Sequence, residues 1–248
     1  RLDFCKQVAQ PSFPQLCEAV LRSGIVKHFL IGNNLALADD TGGEREAALI
    51  KLIEKSKGIE TFYLAGNAIN QDQVKSIADT FCSAKDARYL WLKMNPIKTG
   101  SFYLGKMLRA NPRIELLDLF NTGQCNDGVN ALLDGLKVEQ DVPKSGLKHL
   151  YLDINAITDG NAVAQIVAQL PYLESISLNV NQLRDKGVAE FCDGLLALKT
   201  PPPLARLVLG SNGCTDEVAG TAQTDRPCPP SPQSCDPTAR KLQIHKVF

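Results

Sequence analysis

The chain contains the segment LKHLYLDINAI at residues 147–157, and nearly the same arrangement returns as LESISLNVNQL at residues 173–183. Both segments have the form L-x-x-L-x-L-x-x-N-x-L, in which Ile can replace Leu. The central L-x-L alternates with period two, which is typical of a short strand with one buried face. The Asn fits the turn out of this strand, because a buried side-chain amide can donate and accept hydrogen bonds at once.

The same form recurs seven times along the chain. Its copies begin at residues 26, 59, 87, 114, 147, 173 and 204, which gives a spacing of 26 to 33 residues. The copy at 26 is looser, and the copy at 114 is predicted to carry one extra residue before Gly123. Repeats of this length indicate a solenoid, in which each unit buries its apolar face only by stacking on its neighbours.

The segments between the copies are predicted to form helices. Apolar residues recur in them with the 3.6-residue period of a helix, as in the set Val74, Ile77, Ala78 and Phe81. An acidic residue four or five positions after the Asn is placed to cap the next helix, and these residues are Asp72, Asp159, Asp185 and Asp216. Strand–helix units of this length predict an α/β solenoid, a horseshoe with a parallel β-sheet on the concave face and helices on the convex face.

Both ends of the chain extend this pattern. Leu2-x-Phe4 precedes Phe29-x-Ile31 by 27 residues, so the solenoid is predicted to begin mid-repeat, to occupy residues 1–218 and to be a piece of a longer one. Residues 219–248 are predicted to be a Pro- and Cys-rich irregular connector, because helices do not tolerate that density of proline, with a terminal strand near 239–247. Cys228 and Cys235 in this connector could be two thiols or one disulfide.

Composition argues against several functional classes. Lys and Arg number 27, as do Asp and Glu, and a net charge of zero is unlike that of a nucleic-acid-binding protein. No apolar run reaches the roughly 18 residues of a membrane span. No Cys or His lies at metal-ligand spacing from another, and Cys82, Cys192 and Cys214 are predicted to be small buried apolar residues of a reducing compartment. We therefore expect a monomer without metal, cofactor, nucleic-acid or membrane partner.

The segment Asn181-x-Leu183-x-Asp185-x-Gly187-Val188-x-x-Phe191 resembles the ribonuclease-inhibitor-like leucine-rich repeat. This family includes ribonuclease inhibitor, the sensor regions of NOD-like receptors, the Ran GTPase-activating protein and the carboxyl-terminal domain of tropomodulin. The resemblance covers residues 2–218 and implies an intracellular protein, cytoplasmic or nuclear, that works as a protein-interaction scaffold. It leaves the partner unidentified, because one fold serves many functions.

The third, fifth and seventh positions of each copy alternate with the buried leucines and are predicted to face the concave surface. The only Trp, three of the five Tyr and two of the three His of the chain fall at these positions. Because aromatic residues are enriched at binding hot spots, we expect a partner protein to bind through Tyr63, Tyr89, Trp91, Lys93, Asp118, Phe120, His149, Tyr151 and Asp153. In the alternative interpretation, cross-strand aromatic pairs only stiffen the sheet.

Catalysis is not expected from this sequence. His28 and His149 occupy the same position in copies four repeats apart, which is about 19 Å at the usual strand spacing. A phosphate-binding loop is also missing from the sequence. The preferred interpretation is a non-catalytic scaffold or sensor region that binds a protein on its concave face. The family resemblance leaves two alternatives, a GTPase-activating regulator like that of Ran and an actin- or cytoskeleton-binding domain.

Overall fold

The computed structural model describes residues 2–3, 12–34, 40, 42–137, 144–215 and 243–244. Within these residues nine short strands alternate with helices. The strands form one parallel sheet in chain order, and they are β1 (Leu2–Asp3), β2 (His28–Leu30), β3 (Thr61–Tyr63), β4 (Tyr89–Trp91), β5 (Leu116–Asp118), β6 (His149–Tyr151), β7 (Ser175–Ser177), β8 (Arg206–Val208) and β9 (Gln243–Ile244).

The helices lie between the strands, where the 3.6-residue periodicity predicted them. They are α1 (Phe13–Ser23), α2 (Glu44–Lys55), α3 (Gln73–Phe81), α4 (Ser101–Ala110), α5 (Cys125–Leu136), α6 (Gly160–Gln169) and α7 (Arg184–Leu196), with a 3-10 turn at Lys98–Gly100 before α4. Strand and helix alternate through an open sheet, which confirms the predicted α/β leucine-rich-repeat solenoid. None of the helices in the described residues combines the length and apolar character needed to cross a membrane.

The register of the sheet follows the repeated motif from β1 to β8. Leu2 pairs with Phe29, and Phe29 pairs with Phe62, so the leucine position of each copy lies beside that of the next. In β9, Ile244 pairs with Leu207. The connector from residue 216 to residue 242, with its two cysteines, lies outside the described residues.

The core is a continuous row of apolar side chains between sheet and helices. Phe29 and Phe62 meet edge to face at 6.5 Å, and Phe62 meets Phe81 of α3 at 5.0 Å. All three rings are essentially inaccessible to solvent. Because these contacts join neighbouring repeats, each unit is completed by the next one.

Buried asparagines hold successive turns together, as the motif predicts. The Oδ1 atom of Asn95 accepts hydrogen bonds from the backbone N–H groups of Asn67 and Ile69. Its Nδ2 atom donates to the carbonyl oxygens of Leu64 and Leu92. One side chain therefore pairs four backbone groups of two repeats in a buried region.

The copy at residue 114 has the same length as the others, so the prediction of an extra residue is wrong. Thr122 takes the place of the Asn and Gln124 that of the following Ile or Leu, and both are buried. The backbone N–H of Asn121 donates to the Asp153 carbonyl oxygen, which fixes this register. The Thr122 hydroxyl donates to the carbonyl of Leu119 and so performs part of the task of an Asn.

The predicted helix caps are correct in part. Asp159 caps α6, since its carboxylate accepts a hydrogen bond from the Ala162 N–H at 2.9 Å. At the start of α3 the predicted Asp72 is displaced by Asn70, whose Oδ1 accepts from the N–H groups of Asp72 and Gln73. The side-chain cap is therefore two residues earlier than predicted.

The remaining predicted caps are Asp185, which differs from the prediction, and Asp216, which the structure does not test. Asp185 lies in the first turn of α7, and its carboxylate accepts hydrogen bonds from the N–H and hydroxyl of Thr215 in the next repeat. Asp216 lies outside the described residues. Asp40, which the motif does not indicate, accepts hydrogen bonds from the N–H groups of residues 44–46 at the start of α2.

Candidate functional site

Three rows of side chains run across the open face of the sheet. Strand pairing places Tyr63 beside Trp91, Trp91 beside Asp118, and Asp118 beside Tyr151 in the row of fifth positions. The row of third positions contains Tyr89 and the row of seventh positions contains Lys93. The buried leucines of the same strands face the helices, as strict alternation requires.

Three aromatic rings form the centre of this face, and we name Tyr63, Trp91 and Tyr151 the aromatic shelf. The ring centroids of Tyr63 and Trp91 are 6.1 Å apart, and those of Trp91 and Tyr151 are 6.3 Å apart. All three side chains are half-buried. Trp91 and Tyr151 stand two strands apart, about 9.6 Å at the usual spacing, so their rings lean towards each other.

Asp118 lies on the strand between these two leaning rings and is only 4% exposed. Its Oδ1 accepts a hydrogen bond from the Phe120 N–H at 2.9 Å, whereas Oδ2 accepts none from the described residues. Burial raises the pKa of this carboxyl, and the charge of Asp153 adds to the increase, against the Phe120 hydrogen bond and the charge of Lys93. The predicted contact residue Asp118 is therefore a recessed carboxyl on the strand between Trp91 and Tyr151.

Lys93 covers the other end of the aromatic shelf. Its Nζ atom lies 5.3 Å from the ring centroid of Tyr63 and 5.8 Å from that of Trp91, which is cation–π distance. Among the described residues, no Lys or Arg nitrogen comes within 4 Å of the Asp118 carboxylate. The ammonium group thus rests on the rings and leaves the carboxylate without an ion pair.

Asp153 is also recessed, with 8% of its surface exposed. Its Oδ1 accepts hydrogen bonds from the Ser177 hydroxyl at 2.6 Å and from the Asn179 N–H at 3.1 Å. These bonds fix the carboxylate at the edge of β7. Asp153 lies close enough to Asp118 for its charge to raise the pKa of that carboxyl.

The remaining predicted residues surround the aromatic shelf without stacking on it. Tyr89 and His149 are half-buried on either side of Leu116 in the row of third positions. Phe120 is half-buried in the row of seventh positions. In the described part of the chain neither Tyr89 nor Phe120 makes a ring contact with the shelf.

Two short polar side chains adjoin His149 and Tyr151, and the sequence analysis did not assign them to the site. Ser175 and Ser177 of β7 are 5% and 7% exposed, because they are short and stand beside His149 and Tyr151. Among the described residues the hydroxyl of Ser175 has no hydrogen-bond partner. Serines at the third and fifth positions of one copy are the sequence signal that indicates this small polar area.

The rim of the sheet shows a second feature that the motif analysis did not identify. Met94, Ile154 and Val180 follow the seventh position in their copies and are 50%, 38% and 49% exposed. All three have left-handed φ angles, between 55° and 58°. This conformation is unfavourable for β-branched residues, and the turn adopts it at the same position in the other copies, at Asn33, Gly66, Asn121 and Ser211.

Burial makes four of the described cysteines harder to ionise than a free thiol. Burial raises the pKa of Cys17 to about 12, and burial also raises the pKa values of Cys82, Cys192 and Cys214. Cys82 and Cys192 are half-buried, whereas Cys214 is exposed, so its predicted burial is wrong. Cys125 is exposed as well.

The histidines are also far from one another. His28 and His149 lie on β2 and β6 with three strands between them, and the Nδ1 atom of His28 lies 2.9 Å from the Thr61 hydroxyl. Within the described residues no three His, Cys, Asp or Glu side chains group as metal ligands would. The open face of the sheet therefore carries aromatic rings, recessed carboxylates and the cationic side chains of Lys93 and Arg206.

Two known proteins show partial similarity to the chain. It is 25% identical over 173 residues, 67% of its length, to the NACHT, LRR and PYD domains-containing protein 5 of Bos taurus. It is 33% identical over 118 residues, 45% of its length, to the protein phosphatase 1 regulatory subunit 37 homolog of Caenorhabditis elegans. The aligned segments span only 15% and 12% of these two relatives. No protein-family model matches the chain. One relative is named for its LRR domain, and this similarity agrees with the leucine-rich-repeat solenoid described above.

Proposed function

We propose that the chain is a non-catalytic scaffold or sensor region of the ribonuclease-inhibitor-like kind, which binds a partner protein on the open face of its sheet. The observation that carries the proposal is the aromatic shelf. Tyr63 contacts Trp91 and Trp91 contacts Tyr151, and all three rings are half-exposed. Rings at such positions are not needed to close the core, which lies on the other side of the sheet. They present a large rigid surface at low entropic cost, as binding hot spots do.

The neighbourhood of the shelf supports the same proposal. The exposed apolar rim of Met94, Ile154 and Val180 borders the seventh row, so apolar surface continues beyond the rings. Because the turn of the repeat takes a left-handed φ at this position in the other copies too, the apolar character of these three side chains is the feature that supports a contact. The similarity to the LRR-named relative suggests a role in protein interaction, and the identity of the partner is the part that requires experiment.

Site-specific photocrosslinking tests the proposed face. Benzoyl-phenylalanine is placed at Tyr63 on the shelf or, as a matched control, at Tyr172, which is 55% exposed in the turn between α6 and β7. A partner bound to the shelf is expected to crosslink from position 63 and not from position 172. The captured protein is then purified, and its Kd is measured by calorimetry.

Alanine variants then measure how much the rings contribute to the binding free energy. Trp91→Ala and Tyr151→Ala are each expected to weaken binding of the purified partner by about 2 kcal/mol, roughly thirtyfold in Kd. Tyr172→Ala is the control and should leave Kd within a factor of two or so. Circular dichroism checks the fold of each variant. Equal crosslinking from both positions, or unchanged Kd in both shelf variants, would refute the proposal.

A second candidate follows from the other relative. The chain is 33% identical over 118 residues to a protein named as a regulatory subunit of protein phosphatase 1, so that phosphatase is a candidate partner. The test mixes the chain with the purified catalytic subunit and looks for a complex by size-exclusion chromatography. Separate elution at micromolar concentrations removes this candidate and leaves the proposed face untouched.

A further inference from the structure

The open face contains a recessed carboxylate that makes no ion pair with any of the described residues. Asp118 is 4% exposed, and its Oδ2 accepts no hydrogen bond from the described residues. Asp153, whose charge acts on Asp118, is 8% exposed, so two acidic groups lie recessed within one patch. Lys93 is the cation beside them, and it rests on Tyr63 and Trp91 instead of pairing with either carboxylate.

We infer that the shelf receives an arginine side chain of the partner, which stacks on Trp91 and Tyr151 and pairs with the carboxylate of Asp118. The inference rests on the proposed function and specifies the chemistry of the partner at its centre. With Asp118 and Asp153 against Lys93, the patch holds two negative charges and one positive charge. A cationic group therefore completes it, whereas a partner carboxylate would meet a like charge.

The contacts of Lys93 indicate that the rings of the shelf can hold a cation. Ring faces are electron-rich, and the ammonium of Lys93 already occupies the Tyr63 side of the shelf. In the described residues no cation lies over the ring of Tyr151. Tyr151, the ring of the shelf without a cation, also borders Asp118, because Trp91 and Tyr151 flank Asp118 in the sheet.

Arginine fits this place better than lysine. A guanidinium is planar and weakly hydrated, stacks on aromatic faces and presents two parallel N–H groups to a carboxylate. The ammonium group of lysine is a compact, strongly hydrated charge, so moving it from water to a place against the two rings costs more solvation free energy.

The single Trp of the chain makes the test direct, because all tryptophan fluorescence comes from Trp91. Four blocked pentapeptides, Gly-Gly-X-Gly-Gly with X as Arg, Lys, citrulline or Glu, are titrated at constant ionic strength. The Arg peptide is expected to shift the emission in a saturable way. Citrulline has nearly the same shape without the charge, so it should bind at least tenfold more weakly, and Glu should not bind.

Two variants separate the role of Asp118 from general charge. Asp118→Asn keeps an acceptor for the Phe120 N–H, and it should weaken the Arg peptide at least tenfold without changing citrulline. Asp79→Asn is the control, since Asp79 lies on α3 and makes an exposed ion pair with Lys75. Asp118→Asn should also raise the melting temperature of the free protein at pH 7, because it removes a desolvated charge. A residue with only a structural role would instead lower it.

Several outcomes would overturn the inference. They are equal binding of Arg and citrulline, tighter binding of Glu, an unchanged Arg affinity in Asp118→Asn, or no emission shift with millimolar peptide. If Asp118→Asn does not fold, Tyr151→Ala and the citrulline comparison decide instead. If the purified partner still depends on Trp91 while Asp118→Asn binds it normally, the arginine anchor is wrong and the proposed face stands. If neither variant matters to the partner, the proposed face itself is wrong.

Discussion

Asn95 connects two repeats through one side chain. Its amide pairs the N–H groups of Asn67 and Ile69 and the carbonyl groups of Leu64 and Leu92, at 1% exposure. Asn95→Ala leaves these buried groups unpaired, and each such group costs about 1–3 kcal/mol. Because the neighbouring turns relax in part, we expect the free energy of unfolding to fall by about 3 kcal/mol, measured by urea denaturation.

The control for this substitution is another Asn. Asn161 is exposed on α6, so Asn161→Ala should change the free energy of unfolding by no more than about 0.5 kcal/mol. If both variants unfold at the same urea concentration, the hydrogen bonds of Asn95 do not stabilise the turns.

Single residues also mark where prediction from the sequence ends. The buried Asn follows from its place after L-x-L, since a side-chain amide can donate and accept several hydrogen bonds there. Thr122 does part of this work with a different side chain, so the pattern suggests an insertion that the structure does not have. The burial of Asp118 depends on how far two rings lean across the sheet, and no local pattern encodes that distance.

At the scale of elements, charges alternate along one edge of the sheet. The second position of successive copies is occupied by Lys27, Glu60, Arg88, Glu115, Lys148 and Glu174. Nitrogens of Arg88 and Lys148 both contact Glu115, the second at 3.1 Å. Burial opposes ionisation of Glu115, yet the hydrogen bonds from Lys148 and Arg88 lower its pKa on balance.

The lowered pKa of Glu115 predicts a pH-dependent effect. A carboxyl whose pKa falls on folding stabilises the protein above its unfolded value, near 4.5, and loses that contribution as the pH falls through its folded value. Glu115→Gln should therefore lower stability at pH 7 by about 1 kcal/mol, and the difference should shrink below about pH 4. Thermal melts of both proteins across this pH range measure it. A difference that is constant with pH would contradict the ion-pair account.

The contact between α4 and α5 depends on glycine. The backbones of Gly105 and Gly135 meet so closely that a methyl group on Gly135 would collide with the Phe102 carbonyl. Alanine favours an isolated helix over glycine by about 1 kcal/mol, whereas overpacking costs about 1–3 kcal/mol or more. We expect the collision to dominate, so Gly135→Ala should lower the free energy of unfolding by about 2 kcal/mol in chemical denaturation.

Gly42 provides the comparison for this prediction. A Cβ there would meet only the Glu44 side chain at 3.7 Å, so Gly42→Ala should change stability by less than about 0.5 kcal/mol. Stabilisation by Gly135→Ala would mean that the two helices move apart at little cost. The sequence predicts both helices but not this approach, because propensity alone favours Ala at position 135.

At the scale of the whole molecule, repeat spacing predicts the architecture and leaves the surface undetermined. The recurrence of L-x-L fixes the order of β2 to β8 and the direction in which their side chains point. It does not specify which fifth-position residues touch, since Trp91 reaches Tyr151 past the whole of β5. The fold of a solenoid is local, whereas its binding face is a property of several repeats together.

Because each unit contacts only its neighbours, two similarly destabilising core substitutions should affect different parts of the stack, depending on where they lie. Phe13 in α1 and Leu117 in β5 are both fully buried, and truncation of either to alanine costs about 3–5 kcal/mol. We expect Phe13→Ala to accelerate amide exchange only in residues 12–34, because the stack from β3 onwards keeps its own contacts. Leu117→Ala lies between two halves of the sheet and should accelerate exchange on both sides of β5. Hydrogen exchange with mass spectrometry resolves the two patterns. Uniform acceleration in both variants would mean that the repeats unfold as one cooperative unit, in which case the shelf could not hold its shape while an end of the stack opens.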